Sequence, residues 1–167
     1  MHNILFTTLL ALFFLQGCIK YEEDPLCEDF TYISFEEFRS SVEVLEPQEI
    51  NLAGKIYVYE DLLLISEPYK GVHIIDNSDK SNPVPLAFVK VLGNVDIAVK
   101  DGYMYVDSYM DLVVVDINNL DDIKEIKRSE DIFVYNPYQA SNPYYYFNLE
   151  KECGYNTDEG VVIGATQ

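Results

Sequence analysis

Tryptophan is absent, histidine occurs twice and cysteine three times in 167 residues, and 29 acidic side chains face only 11 Lys and Arg. Each shortage excludes something. At a net charge of −18, like-charge repulsion opposes approach to nucleic-acid phosphates or to an anionic lipid face, so nucleic acid is excluded as a partner. The acidity itself reads as a device for solubility. Only His73 lies beyond the N-terminal apolar stretch, which leaves nothing from which to build a multi-histidine metal centre and no support for a Ser-His-Asp triad. His73 sits inside the apolar run Val72-His73-Ile74-Ile75, where it reads as a packed ring with one hydrogen bond. No Gly-rich phosphate loop and no metal-ligand spacing is present. Hence no cofactor and no metal is expected.

Long hydrophobic runs are also missing. The longest, Ile4 to Phe14, has 11 residues and is broken only by Thr7 and Thr8. A membrane-crossing helix needs about 20, and this length suits the apolar core of a signal peptide. The segment that follows, Leu15-Gln16-Gly17-Cys18, resembles the lipobox of bacterial lipoproteins. There the cysteine thiol takes the lipid and becomes the new N-terminus after cleavage. The resemblance implies lipidation at Cys18 and attachment to a membrane, stable when two or three acyl chains are carried. The acidic run Tyr21-Glu22-Glu23-Asp24 behind it resembles the surface-export signal of Bacteroidetes lipoproteins and also suits a solvated tether. The expected location is the outer membrane or cell surface. Two cysteines remain, Cys27 and Cys153. In an exported chain they are candidates for a disulfide, although nothing in the sequence places them together.

Beyond the tether, Ser34-Phe35-Glu36-Glu37 has the form of a capping box and predicts a short helix over 35–41. Val42 to Leu52 is a connector with room for an extended segment. After it a pattern repeats. Val72-His73-Ile74-Ile75-Asp76 returns as Leu112-Val113-Val114-Val115-Asp116, 40 residues later, and Tyr59 to Ser66 aligns with Val99 to Val106 at the same offset. Short β-branched and aromatic runs separated by turn residues predict four strands per copy. A fixed period near 40 with several strands per unit is the mark of propeller blades. Leu86 to Val91 is expected to close the first unit as its outermost strand, and Ile123 to Arg128 to be a polar edge strand.

The run Leu112 to Asp116, with its copy at 72–76, resembles the LVIVD repeat of bacterial secreted and surface proteins, a likeness that covers about residues 54–128. It implies β-propeller blades and supplies no catalytic residues. The fold class expected is therefore all-β. It comprises a partial β-propeller with about two four-stranded blades and part of a third, preceded by a signal peptide and a short helix. The boundaries are 1–17 for the signal peptide, 18–33 for the tether, 34–53 for the helix and connector, 54–93 and 94–130 for the blades. Residues 131–167 hold a Tyr/Pro-rich insertion and the start of a third blade at Gly160-Val161-Val162. Propellers hide their sheet edges by closing a ring of four to eight blades. So few blades are expected to belong to a shortened form of a longer protein, or to a protomer that self-associates through exposed blade faces.

Two other groups of residues carry chemistry worth weighing. Asp76 and Asp116 end equivalent strands and precede Asn/Asp/Ser loops. Their oxygens could suit Ca²⁺, but an aspartate recurring at a strand end more simply caps its own turn. The insertion offers Tyr135, Tyr138, Tyr144, Tyr145 and Tyr146, rings with polar tips suited to a protein or glycan ligand or to packing over the blades. Two functions follow. The leading one is a non-enzymatic, membrane-anchored binding or scaffold module. The alternative is an incomplete piece of a propeller hydrolase acting on an extracellular polymer, a fold-level analogy without a carboxylate pair to support it.

Overall fold

The computed structural model describes residues 29–135, 158 and 160–166, and among them the architecture is all-β with one short helix. The predicted strands are present. In the first repeat they are β3 (Ile56–Tyr59), β4 (Leu62–Glu67), β5 (Gly71–Asp76) and β6 (Val84–Lys90). In the second they are β7 (Ile97–Lys100), β8 (Tyr103–Ser108), β9 (Asp111–Asp116) and β10 (Lys124–Ser129). Each set pairs antiparallel in chain order, as successive hairpins must. The Asp101-Gly102 turn has both residues at positive φ, 53° and 75°, the backbone that matches strand twist in a two-residue hairpin.

The two sheets face each other across one core. Leu64, Val72, Ile74 and Val89 of the first sheet pack on Ile97, Val99, Met104, Val106, Val113 and Val115 of the second. Full burial of each such side chain contributes about 1.5–3 kcal/mol. The strands of the LVIVD runs are buried on both faces: five of the six β5 residues and four of the six β9 residues are buried. That is why they read as unbroken apolar runs rather than as alternation.

Three features differ from the sequence reading. First, β6 is not the outermost strand. β2 (Glu43–Leu45), drawn from the connector, pairs along it through Glu43–Lys90, Val44–Val89 and Leu45–Phe88 and makes the sheet five-stranded. Second, the repeat is not in register at 40 throughout. Leu62 opposes Asp76 as Tyr103 opposes Asp116, so the first hairpin is displaced by 41. One residue is then recovered at the next turn, which has three residues after Glu67 and two after Ser108. Period-2 geometry makes such a slip exchange the faces, and apolar residues on both faces hid it. Third, residues 29–33, read as the end of the tether, form β1 (Asp29–Ile33), and β1 pairs antiparallel with β11 (Val161–Thr166).

This two-stranded sheet sits against the blades through α1 (Phe35–Arg39), which is two residues shorter at its C-terminus than predicted. The Glu37 N–H donates to Ser34 Oγ at 3.1 Å, one half of the expected capping box. Phe38 is fully buried among Tyr109, Met110 and Val161 in a second, smaller cluster. Its ring lies 5.8 Å from that of Tyr109.

Candidate functional site

Blade 1 carries on its outer face what blade 2 does not. By strand pairing, Ile65–His73 in the first sheet corresponds to Val106–Val113 in the second, and Glu67–Gly71 to Ser108–Asp111. Val113 and Ser108 line the packed interior at 0% and 1% exposure. Their counterparts His73 and Glu67 are as deeply buried, at 2% and 3%. They lie on the face turned away from blade 2, beneath the connector. His73 Nε2 and Glu67 Oε2 are 3.0 Å apart, and Lys70 Nζ donates to the other carboxylate oxygen at 2.6 Å. Burial alone pushes the Glu67 carboxyl up, but the hydrogen bonds from Lys70, His73 and the Asn51 backbone outweigh it and hold the group below the usual carboxylate range. Facing an ionised carboxylate, Nε2 is the ring nitrogen that carries the bridging hydrogen, an assignment that follows from the hydrogen bond. Phe88 lies 4.6 Å from the histidine ring, tilted by 51°. The expectation of a packed histidine with one hydrogen bond therefore holds, with a buried carboxylate as the partner that sequence reading missed. Glu67 sits in a Glu-Pro turn signal, and only the β4–β5 register brings it under His73.

Between the connector and this face lies a cavity of about 240 Å³. Its wall includes Pro47 and Ile50 from the connector and His73, Ile75, Pro85 and Ala87 from β5 and β6, with Gln48 and Glu49 also contributing.

A second buried ionic group holds the fold together. Asp111, fully buried, accepts from Arg39 Nε and from the Arg128 guanidinium, both at 3.2 Å, and from the Asp131 N–H at 2.9 Å. Arg39 also reaches Glu130 at 2.8 Å, and Arg128 lies over the Phe38 ring at 5.3 Å. Two cations and a backbone donor on one carboxylate satisfy it, as a charge out of water requires. The network pins α1 and β10 to the start of β9.

Asp76 and Asp116 cap their own turns. Asp76 Oδ1 accepts the Ser78 N–H at 2.9 Å, and Asp116 Oδ1 accepts the Asn118 N–H at 3.0 Å. The Ser78 side chain and N–H lower the Asp76 carboxyl, and the Asn118 N–H and side chain lower that of Asp116. Of the five aromatic ligand candidates, Tyr135 is half-buried. Its hydroxyl accepts the Val162 N–H at 2.6 Å, and its ring meets Tyr109 edge-on at 6.1 Å, so it ties β11 to the second-blade turn. Tyr138, Tyr144, Tyr145, Tyr146, Cys18, Cys27 and Cys153 lie outside the described residues.

The fold and its repeated sheets define an all-β protein with propeller-type repeats. The LVIVD repeat family matches residues 52–90 and 93–129, one match for each of the two sheets. No curated protein and no solved structure matches the chain.

Proposed function

We propose that this protein is a lipoprotein of the bacterial outer membrane or cell surface, held by lipid on Cys18, whose LVIVD-type blades act as a non-enzymatic binding or scaffold module for a protein or glycan. The observation that carries the reading is the pair of LVIVD repeats folded as stacked sheets. Their buried ionic groups are engaged with one another, Asp111 with two arginines and Glu67 with Lys70 and His73. The Leu15-Gln16-Gly17-Cys18 segment supports the anchoring, and the net charge of −18 favours a partner that is not itself acidic.

The test expresses the full chain and its Cys18→Ser variant in a Gram-negative host with metabolic palmitate labelling. Label on the wild type, its loss in the variant and release of the variant from the membrane fraction are expected. The labelled protein then serves as bait on a glycan array and in crosslinking to envelope proteins. Equal labelling of both forms overturns the anchoring, and retention of neither glycan nor protein overturns the binding role.

A further inference from the structure

We infer that the cavity over blade 1 is a binding site for a small, largely apolar molecule carrying one hydrogen-bond donor, such as a phenol, with His73 Nδ1 as the acceptor that orients it. The inference stands on the cavity and on the comparison of the two repeats, independently of lipid anchoring.

Three observations converge. The first is the asymmetry between copies. Where blade 2 fills equivalent positions with Val113 and Ser108, blade 1 places an imidazole and a carboxylate at 2% and 3% exposure. Burying an imidazole where a valine suffices in the other copy runs against stability. Local departures of that kind concentrate where a protein does something besides fold. The second is space. The cavity, at about 240 Å³, is larger than the roughly 150 Å³ apolar void known to take up benzene in an engineered protein. Pro47, Ile50, Ile75, Pro85 and Ala87 give it a mainly hydrocarbon wall, the character of small-molecule sites. The third is polarity. Nε2 is committed to Glu67 at 3.0 Å, which leaves Nδ1 as the remaining hydrogen-bonding atom of a ring that lines the cavity. Glu67, fixed in turn by Lys70 at 2.6 Å, holds Nε2 as the donor, so that in the neutral ring Nδ1 offers the lone pair. The imidazole is the one polar side chain on the β5–β6 floor of the cavity, opposite Gln48 and Glu49 of the connector. It suits a ligand with one O–H or N–H and an otherwise apolar body.

The experiment titrates the uniformly ¹⁵N-labelled full chain with p-cresol and, separately, with toluene, its counterpart without the hydroxyl. The imidazole nitrogens are followed in long-range ¹H–¹⁵N correlation spectra. His73 is told from His2 by the resonances lost in His73→Val, the residue that blade 2 carries at this position. Expected are a saturable shift of the His73 Nδ1 resonance with p-cresol and about tenfold weaker binding of toluene, the worth of one hydrogen bond near the upper end of its usual range. In His73→Val the preference for p-cresol disappears. Equal affinity for the two ligands, failure of either to saturate, or a preference that survives in His73→Val overturns the site. The wild-type comparison of the two ligands decides the matter even where the variant does not fold.

Discussion

Asp111 shows how one residue can bind three parts of a chain. Its carboxylate is fully buried and joins Arg39 from α1, Arg128 from β10 and the Asp131 backbone. Truncating one member of such a group leaves the others buried and unpaired. Asp111→Ala is therefore expected to destabilise the protein by about 3–5 kcal/mol, read as a lowered urea midpoint. Arg39→Ala, whose side chain is a quarter exposed, should cost less. Glu67 makes a prediction about pH. Its carboxyl is held low by Lys70 and His73 against the effect of burial. A carboxyl depressed in the folded state stabilises fully above its unfolded pKa, about 4.3, and that contribution is lost as pH falls through the folded value. The urea midpoint should thus fall as pH drops below about 4.3, and fall less steeply in Glu67→Gln. A curve for the variant parallel to that of the wild type would remove Glu67 from the account. Asp107 acts in the opposite sense: burial raises its carboxyl despite hydrogen bonds from the Val95 and Asp96 N–H groups, so its protonation relieves a strain rather than creating one.

Strands of similar composition behave differently according to their neighbours. Ile74 in β5 is fully buried between the sheets, whereas Ile56 and Val58 in β3 are 60% and 63% exposed. Ile74→Ala is expected to cost about 2–5 kcal/mol through lost transfer and the cavity left behind. Ile56→Ala should stay within about 0.5 kcal/mol in the monomer. Thermal or urea unfolding at low protein concentration separates the two. Gly71 is also fixed by its element. It opens β5 at a φ of 151°, and a Cβ there would meet the Val89 carbonyl oxygen at 2.1 Å. Gly71→Ala is expected to lower stability by more than the 1–3 kcal/mol usual for backbone strain alone. The Asp111 position in blade 2, which has a side chain, shows that the constraint belongs to this blade and not to the repeat.

At the scale of the whole molecule, the in-chain interface supplies the geometry for a proposed contact between copies. The face of blade 1 that packs on blade 2 carries Leu64, Val72 and Ile74. Its equivalents in blade 2 are Tyr105, Leu112 and Val114, which look away from blade 1. On the opposite flank Ile56 and Val58 are exposed. Self-association through these faces is the form of the proposed scaffold role that requires no other protein. It predicts a sedimentation coefficient for Cys18→Ser that rises with concentration. Adding Ile56→Lys and Val58→Lys should abolish the rise, and unchanged behaviour would remove these residues from any contact between copies. The connector, lying over the other half of the blade 1 face and contributing β2 to its edge, limits how much of that face a second copy reaches.

Much of this was legible in the order of residues. The doubled run ending in Asp76 and Asp116, the β-branched strands, the turn pairs and the Ser34 cap are local signals, and local chemistry sets them: period, propensity and side-chain capping act within a few residues. The Asx turns at both aspartates were foreseeable for the same reason. What lay beyond the sequence depended on pairing across distance. The one-residue slip between copies, the fifth strand β2 and the joining of β1 to β11 are choices of partner, and apolar residues on both faces of a strand do not name one. The Glu67–His73 pair and the Asp111 network arose the same way. The partners lie six residues apart in one case, and 17 and 72 in the other. Only a fold that buries both partners, and so makes an unpaired charge too costly to keep, turns them into a site.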